Sequence, residues 1–171
     1  MLEAGIPIYR TTDLGSIKCI PVHAGRLYKL LKELKPDVFH SNMDLLNGIN
    51  CLVAWAAGVP IRIAHSHNSA SQREAAGGRK LITDLYRFVM RLLADVCSNR
   101  KFACSTPAMV YLFGENWQRK KHTHIINNGI DTARFATGDA CKEPKCRRIV
   151  SVGRLMVQKN PLFALEVMDE L

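Results

Sequence analysis

The sequence lacks the features that mark secreted and integral membrane proteins. Its six cysteines include no C-x2-C pair, and Cys51, Cys97 and Cys104 lie in apolar segments, which is typical of free, buried thiols. The chain has no run of the roughly 18 apolar residues that a membrane-spanning helix needs, and its first residues lack the basic start of a secretion signal. We therefore expect a cytoplasmic protein.

Aromatic residues are also scarce, at 7% of the chain, and they do not interleave with the basic residues. Binding of nucleic acid by base stacking is therefore not expected. No G-x-G-x-x-G motif follows a strand, which disfavours a dehydrogenase-like dinucleotide site. Cys141 and Cys146 form one widely spaced pair without a second, so they are not expected to bind a metal.

The composition that remains is that of an ordinary globular protein with an excess of positive charge. Of its 171 residues, 47% are hydrophobic and 23% are charged. A chain of this length can bury about two-thirds of the surface that it exposes when unfolded. The formal net charge is +9. Such a balance favours anionic partners such as nucleotides or acidic surfaces.

Apolar runs of strand length alternate with segments of helical periodicity. Helices are predicted at residues 24–35, 44–57, 79–97, 107–113 and 160–171, and strands at 37–41, 61–67, 101–105, 123–127 and 149–152. This alternation predicts an α/β fold, a parallel sheet with helices on both faces. Hydrophobicity falls away over residues 136–147, which predicts a linker between a first domain at 1–135 and the beginning of a second at 148–171.

The predicted helix at residues 79–97 combines an apolar face with a basic stripe. The apolar face comprises Leu81, Leu85, Phe88, Leu92 and Val96. The basic stripe comprises Lys80, Arg87 and Arg91. Either the apolar face packs in the core and the outer side is solvated, or the helix meets an anionic membrane and the stripe is a membrane or acceptor face.

Three histidines fall at the ends of two neighbouring predicted strands. His65 and His67 are two residues apart, so both side chains lie on one face, and His40 ends the preceding strand. The imidazoles are therefore expected to converge on one crevice. Three interpretations are open. The histidines are structural, or they form a ligand-facing pair, or they bind a metal with Asp44 as a further ligand.

Two cations stand between the last predicted strand and the last predicted helix. Gly153 ends the strand, and Arg154 and Lys159 lie in the following loop. Open α/β sheets bind ligands at the carboxyl ends of strands, and a guanidinium and an ammonium beside a helix N-terminus form a phosphate site in outline. The alternative is that both are solvated loop cations.

Five segments, in this order, resemble the family 4 glycosyltransferases of the bacterial exopolysaccharide and capsule type. They are DVFHSN, PIRIAHSHNS, FACSTPAM, IINNGIDTARF and SVGRLMVQKNPLFALEVM. The most specific matches are Asn128, Gly129 and Asp131 with Phe135, and the segment at residues 152–160. The similarity extends over nearly the whole chain.

The resemblance implies the GT-B fold, with two Rossmann-like domains, and a retaining transfer of a glycosyl group without metal or other cofactor. The donor is a nucleotide sugar, and the acceptor is a saccharide or a lipid-linked saccharide of a surface polysaccharide. Arg154 and Lys159, with Gly153, are implied to hold the donor diphosphate, on which negative charge grows as the glycosidic bond breaks.

Further roles follow from the same resemblance. His67 is implied to reach the donor sugar as the catalytic histidine, with His65 as the second candidate on the same face. Asn128, Gly129 and Asp131 are implied to lie between the domains on the donor side.

The sequence also departs from the family pattern. Nothing before Ala24 supplies the family's glycine-rich loop, and its pair of glutamates eight residues apart has no counterpart, because Glu166 and Glu170 have the wrong spacing. We therefore expect a chain truncated at both ends with little transferase activity. The alternatives are a non-catalytic nucleotide- or anion-binding module, and a membrane-associated accessory protein at the inner face of the membrane.

Overall fold

The computed structural model describes residues 5–12, 14, 16–68, 80–135, 150–153 and 160–170. The chain divides into two compact units, Met1–Asn128 and Gly129–Leu171. The composition instead places the end of the first domain at Phe135, and the predicted linker at residues 136–147 lies outside the described residues. In the described ranges, no helix is both long enough and apolar enough to cross a membrane.

Helices and strands alternate through the first unit, as the sequence predicts. In chain order they are α1 (Ile20–Leu34), β1 (Val38–Ser41), α2 (Asn47–Ala56), β2 (Ile61–Ser66), α3 (Lys80–Cys97), β3 (Arg100–Ala103), α4 (Thr106–Phe113) and β4 (Thr123–Ile125). Short 3-10 segments occupy Ile17–Cys19, Asp44–Leu46 and Glu115–Arg119. Helix α1 begins before the predicted residue 24, because Pro21 is well suited to the first turn of a helix.

The four strands form one parallel sheet in the order β1-β2-β3-β4. Val38 pairs with Ile61, and His65 pairs with Phe102. This confirms the α/β, Rossmann-like fold class. Right-handed crossovers between strands in sequential order place the connecting helices on the same face of the sheet.

The helices pack on the face that presents Phe39, Ala64 and Ala103. The larger core cluster joins the two alanines to side chains of α2, α3 and α4, namely Cys51, Ala94, Cys97, Ala108, Met109, Leu112 and Phe113. The smaller cluster packs α1 against α2 through Leu27, Leu31, Val53, Ala54 and Val59, with Phe39 partly buried. Strand alternation puts His40, His65 and Phe102 on the opposite face. The predicted second helical layer is not among the elements described for this sheet.

Helix α3 does not pack through the apolar face that the sequence marks. All five predicted face residues, Leu81 to Val96, are between 48% and 82% exposed. The interpretation of that face as core-packed is therefore wrong. The buried side consists instead of Met90, Ala94 and Cys97, because small side chains and Gly48 of α2 let the two helices approach closely. A methyl group added at Gly48 would collide with the backbone carbonyl of Met90.

The second unit is described over a 3-10 turn at Thr132–Phe135, the segment at residues 150–153, and α5 (Pro161–Asp169). Helix α5 begins at a proline, as predicted. The predicted strand at residues 149–152 is not seen where it is described. Residues 150–153 pair with no strand among the described residues, and Val150 and Val152 are 81% and 94% exposed. Arg154 and Lys159 lie outside the described residues.

Replacing Gly48 by Ala is expected to lower the free energy of unfolding by about 1 to 3 kcal/mol, because the added methyl group meets backbone that cannot rotate away. Urea denaturation followed by circular dichroism measures this change. Gly25→Ala in α1 is the matched control, since a methyl group there meets nothing within 4 Å. The control should be neutral or stabilised by up to about 1 kcal/mol, because Ala favours helix over Gly. Equal unfolding midpoints in the two variants would contradict the close approach of α2 and α3.

Candidate functional site

The carboxyl ends of β1 and β2 bring three histidine rings together, as the sequence predicts. His40 Nε2 lies 3.1 Å from His65 Nδ1, within hydrogen-bond distance, and the two rings are stacked with their planes 6° apart. The His67 ring lies beyond, with its centroid 4.1 Å from that of His65. His65 is buried, whereas His67 is exposed.

Two further rings extend this group across the sheet. Phe102 of β3 meets both His40 and His65 edge-on, with centroid distances of 6.1 and 6.0 Å. His124 of β4 contacts Phe102 in the same way at 5.6 Å. From the sequence, Phe102 is not expected in the site, and His124 is expected only at the surface or at the start of a strand. The signal that would find them is strand register, because Phe102 pairs with both His65 and His124.

A polar rim follows β1 and β2. His67 Nε2 lies 3.0 Å from Asn42 Oδ1. Because an amide oxygen can only accept, this ring nitrogen carries the hydrogen and donates the hydrogen bond. Asn68 Nδ2 donates to Asp44 Oδ2. Asp44 has a φ of +50°, a left-handed conformation that a non-glycine residue adopts at an energetic cost and that is common at functional sites.

Two buried polar atoms of the site have no hydrogen-bond partner in the described structure, His65 Nε2 and Asp44 Oδ1. The other ring nitrogen of His65 is already engaged by His40. Buried polar atoms normally have a hydrogen-bond partner, so each of these two atoms is a position where a hydroxyl group of a ligand, or a water molecule, would bind.

Burial governs the ionisation of the inner rings. Burial, with the nearby charges of His67 and His40, lowers the pKa of His65 to about 4. Burial and then the His67 charge also lower the pKa of His40. Near neutral pH, both imidazoles are therefore uncharged and each keeps one N–H donor and one acceptor nitrogen.

The metal interpretation gains no support from this geometry. In the parts of the chain that are described, no three His, Cys, Asp or Glu side chains are arranged to hold a metal ion. His40 and His65 direct their nitrogens at each other.

A buried polar chain supports the site from behind. Asn47, fully buried at the start of α2, donates to the carbonyl of His65 and accepts from the amide of Met43. One turn later, Asn50 donates to the Ser41 hydroxyl. Asn50 also binds His23 of α1, and His23 contacts Thr11. These contacts tie the residues before α1 to the end of β1.

The remaining predicted site residues lie elsewhere. Gly153 and Asn128 are exposed, each in its own unit. Asp131 Oδ1 accepts from the Ala133 amide and caps the turn at Thr132–Phe135. Gly129 is also exposed.

The predicted basic stripe of α3 is partly enclosed by the protein. The Arg87 side chain is 16% exposed and pairs with Asp84 at 3.5 Å. The Arg91 guanidinium lies 5.0 Å from the ring centroid of Tyr111 in α4. The Lys80 side chain lies outside the described residues. Neither arginine is therefore presented as a fully solvated charge.

Lowering the pH is expected to destabilise the fold through His65. Its pKa is 6.5 ordinarily and about 4 in the folded chain, so between these values the unfolded chain binds a proton that the folded chain does not. The free energy of unfolding is therefore unaffected by this group above pH 6.5. It falls by on the order of 2 kcal/mol as the pH is lowered from 6.5 toward about 4. Urea midpoints measured between about pH 7 and pH 4.5 test this.

His65→Gln should flatten that dependence, while His122→Asn at an exposed position should preserve it. Some slope will remain in His65→Gln, because the pKa of His40 is lowered as well. A fall as steep in His65→Gln as in the parent chain would contradict the assignment.

Comparison with known proteins identifies relatives over most of the chain. The family model described as Glycosyltransferase Family 4 matches residues 4–134. A putative glycosyltransferase, EpsF, of Bacillus subtilis (strain 168) is 33% identical over 151 residues, which cover 82% of this chain and 38% of the relative. No solved structure matches the chain.

Two other curated relatives are more distant. One is the UDP-Gal:alpha-D-GlcNAc-diphosphoundecaprenol alpha-1,3-galactosyltransferase of Escherichia coli, 27% identical over 82% of this chain and 38% of the relative. The other is the capsular polysaccharide biosynthesis glycosyltransferase CapH of Staphylococcus aureus, 27% identical over 85% of this chain and 39% of the relative. The chain thus spans about two-fifths of the length of these relatives. With its parallel sheet and a family match over residues 4–134, the chain belongs to Glycosyltransferase Family 4.

Proposed function

We propose that this chain serves a retaining glycosyl transfer from a nucleotide sugar to a saccharide or lipid-linked acceptor in surface polysaccharide synthesis. Family membership supports the reaction class. The observation that carries the proposal is the unpartnered, buried Nε2 of His65 at the carboxyl edge of the sheet, where α/β folds bind their ligands.

The histidine group suits a sugar as its ligand. Sugar hydroxyls both donate and accept hydrogen bonds, and the uncharged His65 ring and the Asp44 carboxylate each leave one buried polar atom unused. His67 stands outside them, with Asn42 fixing its protonated nitrogen. His67 is thus proposed as the catalytic histidine that reaches the donor sugar, and His65 as the inner ligand.

The donor diphosphate is proposed to bind Arg154 and Lys159, with Gly153 giving room for close approach. Their cationic groups, together with the N-terminal amides of α5, would stabilise the negative charge that grows on the leaving diphosphate. Metal and other cofactors are not required in this scheme. Asn128, Gly129 and Asp131 are proposed to line the donor side.

A lipid-linked acceptor would bring the protein to the inner face of the cytoplasmic membrane. One relative is named for a diphosphoundecaprenol substrate, which supports this part of the proposal by likeness. The net charge of +9 also favours an anionic surface. We therefore propose a peripheral location.

Replacing Arg154 and Lys159 together by Ala is expected to weaken binding of uridine or guanosine diphosphate by about tenfold or more, because two charge-assisted contacts are lost. Isothermal titration at low and moderate salt measures this, and the affinity of the parent chain should fall with salt. Lys142→Ala with Lys145→Ala removes the same charge from the predicted linker and should bind as the parent does. Equal losses in the two double variants would reduce the site to non-specific attraction.

His67→Ala is expected to weaken binding of a nucleotide sugar several-fold while leaving the affinity for the nucleoside diphosphate unchanged, because its proposed contact is with the sugar. Titration of each ligand into the same protein preparation measures both affinities. His122→Ala, at another exposed histidine, is the control. A chain that binds diphosphates but does not distinguish sugar nucleotides from them would support the non-catalytic anion-binding module instead.

A further inference from the structure

Helix α3 exposes a continuous apolar face. Seven side chains, each between 37% and 82% exposed, form it, namely Leu81, Ile82, Leu85, Phe88, Val89, Leu92 and Val96. At 100° per residue they fall within one sector of about 120°, and the face runs along most of a helix about 27 Å long. A contiguous apolar surface of this length on a folded protein marks an interaction site.

The orientation of this face is fixed by the packing of the opposite side. Met90, Ala94 and Cys97 are buried, and the Met90 backbone lies in close contact with Gly48 of α2. The exposed face therefore points away from the core.

No charged side chain lies within the face. Asp84 and Asp95 stand at one border, and both are paired, Asp84 with Arg87 and Asp95 with Lys101 and Lys120. The acidic groups nearest to the face are thus already neutralised.

The positive charge of the first unit favours an anionic membrane over a second copy of the chain as the partner of this face. Residues 1–128 contain 17 Lys and Arg against nine Asp and Glu. Two copies meeting through this face would each bring that positive excess, and like charges disfavour such a dimer. An anionic bilayer attracts the excess charge and also offers an apolar interior to the face.

We infer that the exposed face of α3 lies in the interface of an anionic membrane, with the helix parallel to the bilayer plane and its apolar side chains among the lipid chains. This identifies the membrane contact with the apolar face of α3 rather than with the stripe of Lys80, Arg87 and Arg91. The inference rests on the proposed peripheral location and does not depend on donor binding.

Co-sedimentation of the whole chain with vesicles tests this inference. The vesicles are phosphatidylcholine alone, or phosphatidylcholine with about 30% phosphatidylglycerol. The parent chain should bind the mixed vesicles and bind pure phosphatidylcholine weakly. Leu85→Gln with Phe88→Gln should reduce binding to the mixed vesicles at least about tenfold, because two apolar side chains leave the bilayer.

A matched double variant controls for the general loss of exposed apolar groups. Leu165 and Phe163 of α5 are 66% and 58% exposed, close to the 61% and 63% of Leu85 and Phe88. Leu165→Gln with Phe163→Gln should bind vesicles as the parent does. Circular dichroism and thermal midpoints confirm that each variant is folded, which is expected because all four positions are on the surface.

Four results would overturn the inference. The first is an absence of binding to the mixed vesicles, and the second is binding that the α3 variant does not reduce. The third is equal binding to both kinds of vesicle. The fourth is a parent chain that dimerises in analytical ultracentrifugation and becomes monomeric in the α3 variant, which assigns the face to a second copy. Vesicle binding without diphosphate binding would uphold this inference and contradict the proposed donor site, so the two failures are distinguishable.

Discussion

The close contact of α2 with α3 is the constraint on which both functional surfaces depend. Gly48 lets the α3 backbone approach α2, and the neighbouring Asn47 binds the carbonyl of His65. One short segment of α2 therefore sets which side of α3 is covered and also holds the end of β2 in place. The histidine group and the exposed apolar face of α3 are two consequences of the same packing.

The histidine site illustrates how parallel pairing converts sequence spacing into geometry. The register of β1 with β2 places His40 beside Ile63, so the His40 ring can reach His65 across the strands. Burial keeps these rings uncharged, and their mutual hydrogen bond consumes one nitrogen of His65. What remains is a neutral, buried polar atom suited to a hydroxyl group rather than to a charged ligand.

Much of this fold follows from the sequence, because periodicity and helix-start signals are local. The period of two in β2 was enough to predict that His65 and His67 share a face, and the position of His40 at the end of the neighbouring strand predicted its contact with this pair, which it makes through His65. Periodicity in α3 located an apolar face correctly but gave the wrong interpretation of where it packs. The amplitude of an apolar pattern does not reveal which side a neighbour covers, and the close approach at Gly48 favours the side with Ala94.

Site residues that depend on tertiary pairing were not predictable in the same way. Phe102 looks like any apolar strand residue until the register sets it against His65. Asn47 is a polar residue in an apolar helix, and its role appears only when the partner carbonyl is known. Arg91 looks like part of a solvated stripe because sequence does not show that Tyr111 of α4 lies beside it. The pairing of Arg87 with Asp84 is different, because residues three apart on a helix are neighbours that the sequence can reveal.

The buried polar chain behind the site has a mechanical consequence. Thr11 contacts His23 and its carbonyl accepts from Arg26, while His23 leads through Asn50 to Ser41 at the end of β1. Ser41 directly precedes Asn42, the partner of His67. The stretch before α1 therefore acts as a tether, mechanically connected by a continuous line of hydrogen bonds to the segment that carries the partner of the outermost imidazole.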